Sequence, residues 1–185
     1  MRDLFVDIDA SELRRVGDEL QASEKQIKFA LSAALKRTAT TLRTMSARGL
    51  KSELELRTIN LLRKRLKTLK LRASKSGDGV ELWYGLNDMP ASWFKGTPKQ
   101  NSKGASMRGQ QFDGGFVAKS KFKGRRTVFK RTGKGRLHIQ EQNLAVEDRA
   151  IVFIEDEIFE QADRIFWKHF MRDLNARVKY NIGER

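Results

Sequence analysis

The sequence predicts an α+β domain in which N-terminal helices and a long C-terminal helix pack on a mostly antiparallel sheet carrying a basic β-ribbon or loop. Three observations predict it. Stretches of period two lie between stretches of helical period. Turn-forming residues separate the period-two stretches. The charge is divided in the same way: ten bases and nine acids in 1–56, 21 and five in 57–146, seven and nine in 147–185. Two nearly neutral helical ends around a strongly basic strand-and-loop centre, 57–146, read as one domain spanning 1–185, since strands and helices of one compact chain cover each other's apolar faces. A chain of 185 residues is about one domain long and buries roughly 70 % of its unfolded surface.

Leu4, Val6 and Ile8 alternate with Phe5, Asp7 and Asp9 as a short strand does. Asp9-Ala10-Ser11-Glu12 has the form of a capping box, so a helix follows to about Gln21. Ser23 caps a second, longer helix, in which Ile27, Leu31, Leu35, Leu42 and Met45 recur at helical spacing with Ala30, Ala34 and Thr38 among them. Gly49 is a candidate break, with the helical pattern able to resume beyond it. Residues 58–66 read as a short helix. Residues 67–73 read as a strand, Leu69 and Leu71 alternating with Lys70 and Arg72. Ser76-Gly77-Asp78-Gly79 is a hairpin turn leading to the partner strand, with Val80, Leu82 and Tyr84 on one face and Glu81 and Trp83 on the other.

From 87 to 115 the character changes. Both prolines, Pro90 and Pro98, stand among glycines and serines, which predicts a long flexible loop or an irregular strand edge. Phe116-Val117-Ala118 and 126–132 are strands. A tight turn at Gly133-Lys134-Gly135 leads to Leu137-His138-Ile139, and 143–146 leads into the last element. From Glu147 a long helix presents Ile151, Ile154, Ile158, Ile165, Phe166, Phe170 and Leu174 on one face. Its acids come first and its bases last, as the helix dipole favours.

Composition excludes several function classes. The absence of Cys removes disulfide frameworks, zinc ribbons and thiol nucleophiles. The start is interrupted by acids and is not a signal peptide. The longest apolar run, 150–154, is far short of the ~20 residues that a membrane span needs. A protein of the cytoplasm with no membrane partner is expected. A net charge of +15 calls for an acidic partner.

The candidate contact residues are Lys119, Lys121, Lys123, Arg125, Arg126, Lys130, Arg131, Lys134 and Arg136, a stretch without one acid, with Phe122 and Phe129 between the cations. Such interleaving suits phosphates and stacked bases. It equally suits a ribbon whose Phe side chains enter the core, since a half-buried strand must alternate. Nine like charges repel one another and require something negative nearby. Arg63-Lys64-Arg65 with Lys67, Lys70 and Arg72 form a second basic stretch: a nucleic-acid face or, favoured here, one side of a helix paired with the acidic start of the last helix.

Catalytic signals are poor. Gly133-Lys134-Gly135 lacks the GxxxxGK[ST] spacing of a phosphate loop. Asp7 and Asp9 could flank a metal but read more simply as a strand end and a cap. Glu155, Asp156, Glu157, Glu160 and Asp163 spread around their helix. Neither His138 nor His169 has an acid or serine at useful spacing. Without a converging set of groups, no enzyme, catalytic residue, metal or cofactor is expected.

Val128-Phe129-Lys130-Arg131-Thr132-Gly133-Lys134-Gly135-Arg136-Leu137-His138-Ile139 resembles the signature stretch of the phage minor tail protein Z family, the tail-completion proteins of long-tailed phages. There, an apolar strand carrying Arg leads through Gly to an Arg-Leu-Pro-Ile-like strand, with His138 here in the place of Pro. The layout is also similar: a basic amphipathic helical start, a Gly-, Lys- and Arg-rich centre and a C-terminal helix. The resemblance implies a non-enzymatic virion component that acts late in tail assembly, in the host cytoplasm and then in the virion tail. Its implied partners are the tail tube, its terminator or the tape-measure protein, and it would form a homo-oligomer or ring with possible DNA contact. Arg131, Lys134 and Arg136 would then face an acidic partner surface, giving specificity and docking rate. The alternative is a non-specific nucleic-acid-binding protein using the same basic centre.

Overall fold

Two helices packed along their length organise the molecule, which a computed structural model describes over residues 2–6, 9–63, 65–74, 77–120, 124–135 and 138–183. The chain begins with β1 (Arg2–Val6) and α1 (Ala10–Glu19), whose N-cap Asp9 accepts from the Ser11 amide at 2.8 Å. The Ser11 hydrogen bonds hold the Asp9 carboxyl below the usual carboxylate range. Next, α2 runs over Glu24–Glu53. Ser23 and Gln26 close a reciprocal capping box, with amide-to-side-chain distances of 3.2 and 3.0 Å, so two end amides that the helix cannot satisfy are paired.

On α2 the positions Ala30, Ala34, Thr38, Leu42, Ser46 and Leu50 are all buried, four residues apart. The last helical segment answers with the same spacing: Ala150, Ile154, Ile158, Ala162, Phe166, Phe170 and Leu174 are buried in an unbroken series. An ideal α-helix turns about 40° past alignment at each such step, or some two-thirds of a turn by Leu174. The chain recovers part of this drift by departing from the α-helix. Instead of the single helix expected from Glu147 onward, it forms α3 (Glu147–Phe153), a π-helical turn at Ile154–Ile158, a 3-10 turn at Phe159–Gln161, and α4 (Ala162–Lys179). The wider turn keeps Ile154 and Ile158 on the core side.

Small residues on α2 and large ones on α4 interlock at this seam. Its rim is tied by Asp173, whose two oxygens accept from Arg37 at 2.7 Å and Arg177 at 2.6 Å. The buried Gln26 amide donates to the Arg177 carbonyl at 3.3 Å. Gly49 does not break α2. It gives room to the Phe153 ring, which a side chain at 49 would strike. A glycine there costs about 1 kcal/mol of helix propensity, offset by the ring it admits.

The described strands form four antiparallel sheets rather than one. The first has the order β1-β3-β2, with β2 at Leu66–Ser74 and β3 at Gly77–Tyr84. Leu82 pairs with Leu4 on one side and Thr68 on the other, and the register slips at Leu69. The expected hairpin is present, but Gly77, Asp78 and Gly79 belong to the strand, while Ser76 lies outside the described residues. Leu82 and Tyr84 turn towards α2, where the Tyr84 hydroxyl meets Ser46 Oγ at 2.9 Å. Phe159 touches the Tyr84 ring edge-on, linking the C-terminal helical segment to this sheet.

The helix expected at 58–66 is a single 3-10 turn, Ile59–Leu61. Strand-like bonds to the segment after it explain this: the Arg57 amide donates to the Trp93 carbonyl, and Lys95 to Glu55, both at 2.9 Å. They form an isolated antiparallel bridge between Leu56 and Phe94, and Leu66 already begins β2.

The segment 87–115 is not a loop. It contains β4 (Met89–Pro90), a 3-10 turn (Ala91–Trp93), and a meander of β5 (Lys99–Asn101), β6 (Gly104–Met107) and β7 (Gln110–Asp113). Ala105, Met107 and Phe112 give it a buried face. The β6–β7 turn has positive φ at both Arg108 (53°) and Gly109 (79°), the geometry of a tight hairpin turn. Arg108 also ties the meander to the end of α2 through a 2.7 Å ion pair with Glu55, which keeps that carboxyl below its usual range. The last sheet, β10-β9-β8, comprises β8 (Gly115–Lys119), β9 (Arg126–Arg131) and β10 (Ile139–Glu141). Finally, β11 (Asn143–Leu144) pairs with β4.

Two expectations follow. Gly49→Ala, a change that usually stabilises a helix, is expected to destabilise this protein by on the order of 1–3 kcal/mol through overpacking. Phe153→Leu should remove most of that penalty in a double-mutant cycle of urea melts. Burial pushes the Tyr84 phenol up to about 12, outweighing the Ser46 hydrogen bond that lowers it. Its contribution to stability is therefore complete below the unfolded value of about 10 and is lost as pH rises from there through about 12. Melting temperatures across that interval should fall more steeply for the native protein than for Tyr84→Phe.

Candidate interaction surface

The β8–β9–β10 sheet carries the expected contact residues. Phe116 and Phe129 face each other across β8 and β9, their rings stacked at 6.1 Å. Both stay half-buried, whereas Thr127 and Val128 on β9 are fully buried. Lys119 pairs in register with Arg126. The connection above them closes through Ser120 N to Arg125 O at 2.8 Å and Gly124 N to Ser120 O at 2.9 Å. Lys119, Arg125 and Arg126 are thus gathered at one hairpin tip. Lys121, Phe122 and Lys123 lie outside the described residues.

Lys130, Arg131 and Lys134 are at the other end of β9, where the chain turns into β10; Arg136 and Leu137 lie outside the described residues. At that turn Thr132 N donates to His138 O at 2.9 Å, and His138 N donates to Gly135 O at 3.4 Å. A proline at 138 could not make the second bond. The linear run of cations is therefore divided into two patches. They are separated by the length of β9, five residue steps or about 16 Å. That exceeds the ~8 Å over which exposed charges interact at physiological salt. Lys119, Arg125, Arg126, Lys130 and Lys134 are exposed, and their side chains form no ion pair among the described residues.

In the second basic stretch Arg65 pairs with backbone carbonyls and not with the last helix. Arg65 donates to the carbonyls of Gly85, Asn87 and Asp88 at 3.1, 2.8 and 3.4 Å, and its guanidinium stacks 5.2 Å above Trp93. It organises a bend. Lys64 lies outside the described residues, and Arg63 is exposed. Near the start of the last helical segment it is the cation Arg149 that reaches out, pairing with Glu53 of α2 at 2.6 Å.

Of the acids that spread around that segment, Asp156 and Glu157 line a groove of about 450 Å³ with Asp148, Arg149, Val152, Phe153 and Glu53 of α2. Asp9 is a helix cap and Asp7 lies outside the described residues. Among the described residues no three potential ligands gather as a metal site would require. His169 meets Thr41 Oγ1 at 3.2 Å through Nε2. Burial, with Arg172, Arg37 and Lys168 nearby, holds its pKa below the ordinary value.

Sequence reasoning missed Arg57 and Trp93. With Thr58, Leu61, Ser92 and Arg125 they line a cavity of about 330 Å³ beside the first tip. Arg57 Nη2 donates to Gly96 O at 3.2 Å, while its buried Nε has no partner among the described residues. Trp93, an aromatic residue in a Pro- and Gly-rich stretch, was the available signal. No described helix is long and apolar enough to cross a membrane. Comparison of the chain with protein-family models, curated proteins and solved structures finds no match.

Exposed cations without ion pairs contribute little to stability. Replacing Arg126, Lys130 or Lys134 by Ser is expected to shift the unfolding free energy by no more than about 0.5 kcal/mol each in urea melts.

Proposed function

We propose that this protein is a non-enzymatic structural component of a phage tail, needed for tail assembly or completion, that binds other tail proteins through its basic central region. The observation that carries the reading is the pair of cationic tips at the two ends of β9, where Lys119, Arg125, Arg126, Lys130 and Lys134 are exposed and form no ion pair among the described residues, joined to the twelve-residue resemblance at 128–139. Cations held on a rigid ribbon suit docking to an acidic protein surface, where they set specificity and association rate. The partners are the tube, its terminator or the tape measure, met in the host cytoplasm and kept in the virion tail, with this chain acting as a homo-oligomer or ring.

The same cations, with the half-exposed Phe116–Phe129 pair, favour a second reading as a non-specific nucleic-acid binder. Its affinity would fall steeply with salt as counterions are released.

Mass spectrometry of purified tails is expected to find the chain at fixed stoichiometry. Incorporation should drop for the triple variant Lys119→Ser, Arg125→Ser, Arg126→Ser, with its circular dichroism unchanged. Normal tails formed without the chain would refute the first reading. Duplex DNA binding no stronger than that of a charge-matched control at physiological salt would refute the second.

A further inference from the structure

Arg43 and Arg48 are five residues apart on α2, hence about 140° apart around it, with Ala47 and Thr44 between them. The two small residues leave a hollow of about 230 Å³, closed on its far side by Ile59, Leu66 and Arg63. Three arginines, two from α2 and one from just after the Ile59–Leu61 turn, therefore line one space together with Ala47, Ile59 and Leu66. Thr44 donates its proton to the Thr40 carbonyl at 2.8 Å, so the arginines are the donors available to an occupant.

Arginine stays charged at any working pH and presents its N–H groups in a fixed fork that matches phosphate oxygens. No carboxylate lines the hollow, and none of the three arginines has an ion pair or hydrogen bond among the described residues. The contrast on the same helix is Arg37, which is paired with Asp173 at 2.7 Å. Three like charges lining one hollow repel one another. A multiply charged oxyanion turns that repulsion into attraction through charge-assisted bonds. The Arg57 cavity is less suited. There the Ser92 amide already donates to the Glu141 carboxylate at 2.8 Å, so an anion would meet a carboxylate nearby.

We propose that the hollow between α2 and the Ile59–Leu61 turn binds a phosphate group, held by Arg43, Arg48 and Arg63. The group comes either from a free phosphate compound or from a nucleic-acid backbone. The site is independent of the tail reading.

Titration of the full chain with pyrophosphate at fixed ionic strength, followed by calorimetry, is expected to saturate at one per chain. Arg48→Gln and Arg63→Gln should each weaken binding about tenfold, the loss of one hydrogen bond to a charged group. Arg43→Lys, which keeps the charge and removes the fork, should weaken it as well. Lys28→Gln removes one positive charge elsewhere on α2 and should leave the affinity unchanged. A short DNA duplex distinguishes the two sources. Displacement of pyrophosphate by the duplex, lost in Arg48→Gln, identifies the backbone phosphate. Saturable pyrophosphate binding that the duplex does not disturb identifies a free phosphate compound. Unsaturable binding, or equal affinity in the native protein and both Gln variants, overturns the proposal.

Discussion

The seam between α2 and the C-terminal helical segment constrains everything else. Both elements place their buried residues four apart, so the contact is long and continuous, whereas the α-helix repeats at 3.6 residues per turn. On α2 a second buried row, Leu31, Leu35 and Ala39, widens the face and absorbs the mismatch. On the other side the π turn at Ile154–Ile158 does so by changing the helix itself. The sheets then take positions that this pair allows: Tyr84 reaches Ser46, Phe159 reaches Tyr84, and Arg108 reaches Glu55. Burial of a Tyr hydroxyl and a Ser hydroxyl beneath the first sheet is tolerable because each is hydrogen-bonded.

Elements whose signal is local were legible in the sequence. The Ser23 cap, the apolar stripe of α2, the β2–β3 hairpin and the β8–β9 pair all follow from spacing within a short window. Elements that depend on distant partners were not. The bridge at Leu56 comes from bonds to 93–95, and β4 exists because β11 pairs with it some fifty residues later. The meander at 99–113 was hidden by its turn chemistry. Arg108 occupies a left-handed position where Asn or Gly is the usual marker, so the turn did not announce itself. Gly49 reads as a helix breaker until Phe153, about a hundred residues away, supplies the reason for it.

For the interaction surface, the residue types were legible and their arrangement was not. Nine cations in eighteen residues look like one patch in a linear sequence. Folding puts β9 through the middle, with Lys119, Arg125 and Arg126 at one end and Lys130, Arg131 and Lys134 at the other. Two of the acids on the last segment, Asp156 and Glu157, share the groove beside Phe153 with Glu53 of α2, which pairs with Arg149. Arg43 and Arg48 were unremarkable as the outer face of an amphipathic helix until Arg63 closed the space between them. The net charge is thus several separate surfaces, each with its own geometry, and the acidic groove shows that the molecule carries complementary charge of its own.

The division of the cations by β9 gives the protein a ruler. The strand is central in its sheet, hydrogen-bonded to β8 on one side and β10 on the other, so the interval between the two tips cannot stretch to suit a partner. A surface that engages both must present its negative charges at the same pitch. If it does, the second contact forms within an existing complex at high effective concentration. Two weak charged contacts then act as a single bivalent grip, and a shift of one residue within the strand would turn every side chain over and misalign both at once.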